Sequence, residues 1–451
     1  MSDTIAAIAT GAQVAAIGIV RLSGERAIEI ADALFTPQSG KAMSESAPHT
    51  LVYGRAHDRS GALLDLCLCT ISRAPNSYTG EDTAEFQCHG SPVVLRALLD
   101  EIFSLGARQA LPGEFTKRAF LNGRLSLTSA EAVADIIDAE NAESARNAAS
   151  QLAGALRERT EKIYSDLADI SAHYHAVLDY PDEDIEPFRM EAYKAALGEA
   201  RDTLASLLAT FSRGKLMSAG IPAAIVGRPN AGKSSLLNAL LGYERAIVTR
   251  IPGTTRDTIE EKLKLGSLTL RLIDTAGIRE TDDEVERLGV ERSRSAIERA
   301  ELLIVVVDGS EELTAEDAAL LTEAERAPRA VVVLSKKDLS GGITLDTTLP
   351  TVNVSSLTGE GIEALENTIA AMFPLPDVPA GEILTNVRHA EAVGRALDSV
   401  RGALEALESG ATPDIVLTES EGAMAALGEL DGRTVREDVT ERIFRRFCVG
   451  K

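Results

Sequence analysis

The sequence predicts a multidomain fold of mixed α/β and α+β class. It has an N-terminal α+β domain, an α-helical domain, and a P-loop domain with a doubly wound parallel sheet inserted into the helical one. Three observations carry this expectation. The chain has 451 residues, and at roughly 100 to 200 residues per domain that length holds two to four domains with sizeable cores. Between 217 and 376, near-continuous Val, Ile and Leu runs alternate with amphipathic stretches, the pattern of strands covered by helices on both faces. The Ala, Glu, Leu and Arg composition that precedes this region returns after it, so one helical domain is interrupted.

Residues 1–121 carry short strand-like runs, AAIGIVRL, HTLVYGRAHD and ALLDLCLCTISR, with a turn at Arg59-Ser60-Gly61. Alternation over Leu63 to Ile71 suits a half-buried strand, and SPVVLRALLDEIFSLG reads as an amphipathic helix closed by Gly106. Residues 122–216 have long helical periodicity broken at Pro181 and Pro187. In 217–376 the strands are PAAIVG, LTLRLIDTAG, LLIVVVDG, AVVVLSKKD and PTVNVSS, with helices at SSLLNALLG, SAIERA and GIEALENTIAAM. Pro374, Pro376, Pro379 and Gly381 mark the return to helix in 377–451. There is no internal repeat and no low-complexity segment.

Composition excludes several classes. The 46 Lys and Arg against 69 Asp and Glu give a net charge of −23, which disfavours broad electrostatic capture of nucleic acid by this chain alone. No apolar run reaches the roughly 18 to 20 residues that span a bilayer, so no membrane association is expected. The opening MSDTIAAIATGAQ lacks a basic stretch before a long apolar one, as a secretory signal would need. Four cysteines, at 67, 69, 88 and 448, are too few for a disulfide framework, and their spacing fits no zinc pattern. A reducing, cytoplasmic location is expected.

The chemistry is concentrated in 217–376. Gly227, Arg228, Pro229, Asn230, Ala231, Gly232, Lys233 and Ser234 spell G-x-x-x-x-G-K-S between an apolar strand and an amphipathic helix. In that setting the N–H groups of Asn230 through Ser235 and the helix N-terminus converge on phosphates. Lys233 neutralises them, and the Ser234 hydroxyl suits Mg2+. Asp274, Thr275, Ala276 and Gly277 end a later strand and read as a γ-phosphate sensor; Gly253, Thr254 and Thr255 read as a loop whose Thr255 closes on Mg2+. In Ser335-Lys336-Lys337-Asp338, Asp338 can accept from guanine N1–H and the 2-amino group while the Lys336 stem packs on the base, so GTP is selected over ATP. Ser355, Ser356 and Leu357 follow the next strand, where a backbone N–H can reach guanine O6. Ile278 stands where many GTPases have a water-orienting Gln, and no arginine finger is identifiable. Acids follow instead: Glu280, Asp282, Asp283, Glu284 and Glu286.

The segments GRPNAGKSSLLNAL, IPGTTRD, DTAGIRETDDEVERLG and FCVGK resemble the MnmE (TrmE) family of tRNA-modification GTPases. GIVRLSG, PNSYTGEDTAEFQCHG and LPGEFTKRAFLNGRLSL extend the resemblance over essentially the whole chain. It implies an N-terminal tetrahydrofolate-binding and dimerisation domain over 1–121. It further implies a helical domain over 122–216 and 377–451 ending in a CxGK motif, and a G domain over 217–376. By the same resemblance Glu286 is the catalytic residue acting on water, and Thr249, Arg250, Ile251, Pro252, Gly253, Thr254 and Thr255 contact the nucleotide. Asn230, Thr249, Ile251 and Thr254 hold a K+ ion that replaces an arginine finger and is completed when two G domains meet across a homodimer. Arg21, Glu85, Arg124 and Lys451 bind 5-formyl- or methylene-tetrahydrofolate, Arg124 replacing the usual Lys with its charge kept. Asn386, Arg388 and His389 face the same pocket, and Cys448 takes part in the modification step. An FAD-containing MnmG (GidA) family protein is the partner in a heterotetramer. Together they place a carboxymethylaminomethyl or aminomethyl group on carbon 5 of the wobble uridine of certain tRNAs. Two departures from the family pattern stand out: Arg124, and Ser335 where the family's guanine motif opens with Asn, which predicts weakened nucleotide affinity with selectivity retained through Asp338. The competing expectation, a ribosome-assembly or signalling switch, leaves the N-terminal domain without a role, and the sequence has neither an appended GxxG RNA-binding domain nor a second G domain.

Overall fold

Alternating side chains build the first sheet. The computed structural model describes residues 3–11, 13–180, 190–243, 261–266, 268–273, 297–339, 343–374, 378–433, 437–445 and 447–450. The N-terminal sheet comprises β1 (Ile5–Ile8), β2 (Ala15–Ser23), β3 (Phe35–Pro37), β4 (Val52–His57), β5 (Leu63–Ser72), β6 (Thr83–Gly90) and β7 (Arg108–Gln109). Its order is β3-β4-β5-β6-β2-β1-β7, antiparallel except for the β1–β7 pair. Along β5, Cys67, Cys69 and Ile71 are buried while Leu68 and Thr70 are half-buried, the alternation predicted for this run. Helices Ala27–Leu34 and Pro92–Ser104 cover the inward face, joining Ile30, Leu34, Leu98 and Ile102 to Val20, Leu22, Ile71 and Phe86 in one core. Truncating such a residue, Leu98 for example, to Ala typically costs about 2–5 kcal/mol. The second helix is the predicted amphipathic one, and Gly106 follows it with φ +99°.

The chain divides into two compact units, Met1–Ala134 with Gln151–Ala200 and Arg395–Lys451, and Asp135–Ser150 with Arg201–Gly394. In the first, helices Ala155–Asp179 and Pro413–Asp431 pack along one another. Ile163, Leu167 and Ile170 on one and Val416, Ala423 and Leu427 on the other are buried. The first helix stops at Asp179; the predicted breakers Pro181 and Pro187 lie outside the described residues.

In the second unit a six-stranded sheet contains β8 (Ile221–Val226), β9 (Glu261–Leu265), β10 (Leu268–Leu272), β11 (Leu302–Asp308), β12 (Ala330–Ser335) and β13 (Thr351–Asn353), in the order β13-β12-β11-β8-β10-β9. The predicted parallel strands are parallel, and they carry two cores. Leu302, Ile304 and Val306 of β11 face one and Leu303, Val305 and Val307 the other, which is why the strand reads as an unbroken apolar run. One strand departs from the expectation of a purely parallel sheet: β9 runs antiparallel to β10. Its Glu-Lys-Leu-Lys-Leu sequence buries Leu263 and Leu265, and its lysines suit an edge that must resist further pairing. The helices predicted at 234–242 and 361–372 are present as Lys233–Tyr243 and Ile362–Met372. At the return joint, Asn147 Nδ2 donates to Ile383 O at 3.1 Å and Asn147 Oδ1 accepts from Gly381 N–H at 2.8 Å, while Leu384 N–H donates to Thr210 Oγ1 at 3.0 Å.

Candidate functional site

Where β8 ends, the chain turns off the sheet through a position that only glycine fits, because a Cβ on Gly227 would lie 2.3 Å from Val306 O. Asn230 at φ +63° and Gly232 at φ +101° then coil the loop into the start of helix Lys233–Tyr243. Successive left-handed and right-handed residues at a helix N-terminus form an anion-binding concavity. Lys233 Nζ donates to Gly227 O at 2.6 Å and Arg228 O at 2.8 Å, which keeps the ammonium at the loop, and burial lowers its pKa. Ala231 is buried, whereas Asn230, Ser234 and Ser235 are exposed, the hydroxyl of Ser234 lying on the first helical turn as Mg2+ coordination requires.

The residues expected to read the base converge on the same end of the sheet. Ser335, buried at the end of β12, donates through Oγ to Ala231 O at 2.5 Å, so it braces the phosphate loop although it is shorter than Asn. Lys336 has φ +59° and its Nζ donates to Asp308 Oδ2 at 2.6 Å. Asp338 accepts at Oδ1 from Ser355 Oγ at 2.6 Å, which fixes the carboxylate's orientation. Ser355 N–H donates to Glu360 O at 2.9 Å, so its contribution is a side-chain brace, and the N–H groups of half-buried Ser356 and exposed Leu357 are the ones that suit guanine O6. Thr249, Arg250, Ile251, Pro252, Gly253, Thr254, Thr255, Asp274, Thr275, Ala276, Gly277, Ile278 and Glu286 lie outside the described residues, as does Lys451.

A second site occupies the N-terminal domain. Strand register sets Arg21 of β2 opposite Glu85 of β6, and Arg21 Nε donates to Glu85 Oε1 at 2.6 Å. The Arg21 guanidinium lies 5.9 Å from the Tyr78 ring centroid and 5.7 Å from that of Phe115, within cation–π range. Beside this pair is a cleft of about 680 Å³ lined by His49, Thr70, Tyr78, Glu85, Gln87 and Arg124, among others. That volume is in the range of small-molecule sites. Burial pushes the Tyr78 phenol pKa up, and its hydroxyl is hydrogen-bonded to Thr116 Oγ1 at 3.0 Å.

Sequence reasoning missed what holds this cleft. Buried Arg118 donates to Asp3 O at 2.8 Å, Asp3 Oδ1 at 2.7 Å, Glu81 Oε2 at 3.0 Å and Glu114 Oε1 at 3.1 Å, tying the loop that carries Tyr78 to the helix Glu114–Leu121 and to the start of β1. Burial alone would raise the Glu114 pKa, but bonds from Arg108, the Leu111 N–H and Arg118 outweigh it and hold the carboxyl below its ordinary value. The Glu114/Arg118 spacing of four on a helix was the available signal. The C-terminal tail docks on the same domain: Gly113 N–H donates to Cys448 O at 3.3 Å, and a Cβ on Gly450 would lie 2.6 Å from Ile8 O. Cys448 itself is exposed. Asn386, Arg388 and His389 belong to the second unit, where Asn386 Oδ1 accepts from Arg388 N–H at 2.9 Å at the start of helix Val387–Ser409 and His389 is buried.

The coiled phosphate loop, its lysine and the braced Ser-Lys-Lys-Asp turn at the carboxyl edge of the sheet define a P-loop GTPase joined to further domains. Two family models match: "GTP-binding protein TrmE N-terminus" over residues 4–124 and "MnmE helical domain" over residues 127–448. The tRNA modification GTPase MnmE of Heliobacterium modesticaldum is 42% identical over 466 residues, covering 100% of both chains. That of Symbiobacterium thermophilum is 42% identical over 455 residues, covering 100% of this chain and 99% of the relative. Among solved structures, the G domain of the T. maritima FeoB iron transporter is similar at 25% identity over 34% of this chain and 98% of that one, with a TM-score of 0.26. The chain belongs to the MnmE family of tRNA modification GTPases. It is an enzyme, a GTPase. Among the described residues, no helix is long and apolar enough to cross a membrane.

Proposed function

We propose that this chain is a K+-dependent GTP hydrolase that, as a homodimer working with an FAD-containing MnmG-family partner, modifies carbon 5 of the wobble uridine in certain tRNAs using a folate one-carbon unit. One observation carries the reading: a phosphate-and-guanine site and a cleft suited to folate occur in the same chain. The cleft's donor set fits a tetrahydrofolate. Arg124 offers a cation for glutamyl carboxylates, a role the family resemblance extends to Lys451, and Glu85, oriented by Arg21, offers an acceptor for pterin N–H groups. Bound there, the folate supplies the one-carbon unit.

In the phosphate site Ser234 and Thr255 would hold Mg2+, and Asn230, Thr249, Ile251 and Thr254 would hold K+, both ions placing fixed positive charge where negative charge develops in the transition state. Glu286 orients the attacking water in place of the glutamine absent at Ile278. Cys448 acts in the modification step. The homodimer is supported by the outward face of the N-terminal sheet, where Ile17, Tyr53 and Leu66 are exposed. The net charge of −23 assigns most of the tRNA-binding surface to the partner. Mass spectrometry of wobble nucleosides from cells lacking this chain tests the reading. Loss of the C5-modified uridines is expected; unchanged wobble uridines would remove the tRNA substrate and leave a GTPase.

A further inference from the structure

Asp308 is assigned no role toward phosphate or base, yet its carboxylate stands between residues that are and bonds one of them, Lys336. It ends β11, the central strand of the P-loop sheet beside β8, and its side chain is 2% exposed. A carboxylate this deeply buried is costly unless cations and hydrogen bonds surround it. Its partners come from three loops. Ser310 donates to Oδ1 through both N–H at 3.0 Å and Oγ at 2.6 Å. Lys336, of the guanine turn, donates to Oδ2 at 2.6 Å. Arg228, of the phosphate loop, has its Nη2 3.9 Å from the same oxygen while that Nη2 donates to Glu311 Oε2 at 2.5 Å, and its Nε lies 3.4 Å from Asp317 Oδ2. Burial opposes ionisation of Asp308, but the Lys336 and Ser310 bonds outweigh it, so the carboxyl stays below its ordinary value and charged.

We infer that Asp308 is a positioning residue for the nucleotide: by anchoring the Lys336 ammonium and facing Arg228, it fixes the lysine stem that covers the base relative to the loop that holds the phosphates. This rests on the GTP-binding reading of the site. The anchor is deep and the stem is not, Lys336 being 35% exposed, so without Asp308 the four-carbon stem regains its rotamers and nucleotide binding must order it again. Because the stem meets any purine ring through its face, the loss is indifferent to the base edge; edge reading belongs to Asp338. A merely structural ion pair would instead lower stability and leave nucleotide affinity alone.

The experiment uses the full chain. Dissociation constants for GTP, GDP and inosine triphosphate, which lacks the 2-amino group, are measured for wild type, Asp308→Asn, Lys336→Met and the double variant, with steady-state GTP hydrolysis alongside. Asparagine keeps an acceptor for Ser310 and removes the charge. Asp308→Asn is expected to weaken all three nucleotides by about tenfold, roughly the worth of one charge-assisted hydrogen bond. KM should rise with kcat held, and the substitution should add nothing in the Lys336→Met background. Wild-type affinity in Asp308→Asn, full additivity with Lys336→Met, or a changed GTP-to-inosine-triphosphate ratio each overturns the inference. If Asp308→Asn does not fold, Ser310→Ala, which removes one bond orienting the carboxylate, must weaken GTP and GDP a few-fold and do nothing in the Lys336→Met background; unaltered affinity there overturns it equally. Wild-type protein that binds no GTP would instead sink the underlying assignment.

Discussion

The phosphate loop and the N-terminal cleft are built on opposite plans. Eight contiguous residues, 227–234, make the first, and most of their work is done by backbone held in place by glycines and a helix start. The second brings together Arg21, Tyr78, Glu85 and Arg124 from strands and loops far apart in sequence, and only the β2–β6 register and the Arg118 network make them neighbours. A site written in backbone conformation depends on local turns, whereas a site written in tertiary proximity depends on the packing and ion pairs behind it. The two should therefore fail differently under substitution.

The largest effect is expected from Arg118→Met. Arg118 is 9% exposed and serves Asp3, Glu81 and Glu114. Removing the cation takes one partner from Glu81 and Glu114 while Arg108 still serves Asp3 and Glu114, so the cost should approach but not exceed the about 3–5 kcal/mol of breaking a fully buried pair. Thermal unfolding followed with bound tetrahydrofolate should show lowered stability and weakened folate binding while GTP affinity stays at the wild-type level. A parallel loss of GTP binding would break the contrast. The same network predicts an acid limit. Because folding lowers the Glu114 pKa below its ordinary 4.5, its contribution is complete above that value and disappears as pH falls through the folded pKa. Wild-type melting temperature should be flat from neutral pH down to about pH 5 and drop below, and Glu114→Gln should have a shallower acid slope. Equal slopes would remove Glu114 from the network's energetics.

Lys233→Ala should come next. It deletes the loop cation expected to neutralise the phosphates, the other, Arg228, being paired with Glu311, and loss of a single transition-state stabiliser of this kind costs about 10²–10³ in kcat. Its bonds to Gly227 O and Arg228 O show that the loop holds its geometry around the side chain, so the fold and the N-terminal cleft should be untouched. Full-rate hydrolysis by the variant would dismiss the assigned role.

The contrast also explains what could be read in advance. The P-loop, the strands and the helices around them were legible because each is a local pattern: Gly227 to Ser234 at fixed spacing, β11 apolar at every position before Asp308, β5 a Leu- and Cys-rich run whose buried positions from Cys67 to Ile71 alternate. The antiparallel edge strand β9 was not, since the five residues Glu-Lys-Leu-Lys-Leu carry too weak a signal to separate an edge strand from a loop. Arg21 and Glu85 came from family resemblance, because nothing in the chain between them states that they face each other. Asp308 did leave a trace, a lone carboxylate closing a strand of otherwise apolar residues at the carboxyl edge where such sheets bind ligands.

The smallest effect concerns Ser335, and it is the finest test of the backbone plan. The sequence predicts weakened nucleotide affinity because serine replaces an amide that both contacts the base and braces the phosphate loop. In the structure the second of these tasks is already done: Ser335 Oγ lies 2.5 Å from Ala231 O and 3.2 Å from Val307 O, and its single proton serves the nearer carbonyl. Only the base contact is left for asparagine to add. Ser335→Ala, which leaves Ala231 O without this donor, should therefore weaken GTP by about fivefold, near the 1 kcal/mol of one neutral hydrogen bond. Ser335→Asn should tighten GTP by less than tenfold, because the residue is 2% exposed and a larger side chain must fit beside Gly232, where even a Cβ would approach Ser335 Oγ to 3.3 Å. Equilibrium titration with a fluorescent GTP analogue resolves both. If Ser335→Ala binds as tightly as wild type, the brace contributes nothing and the loop stands on its glycines; if Ser335→Asn is unchanged, the amide never had a cost to restore.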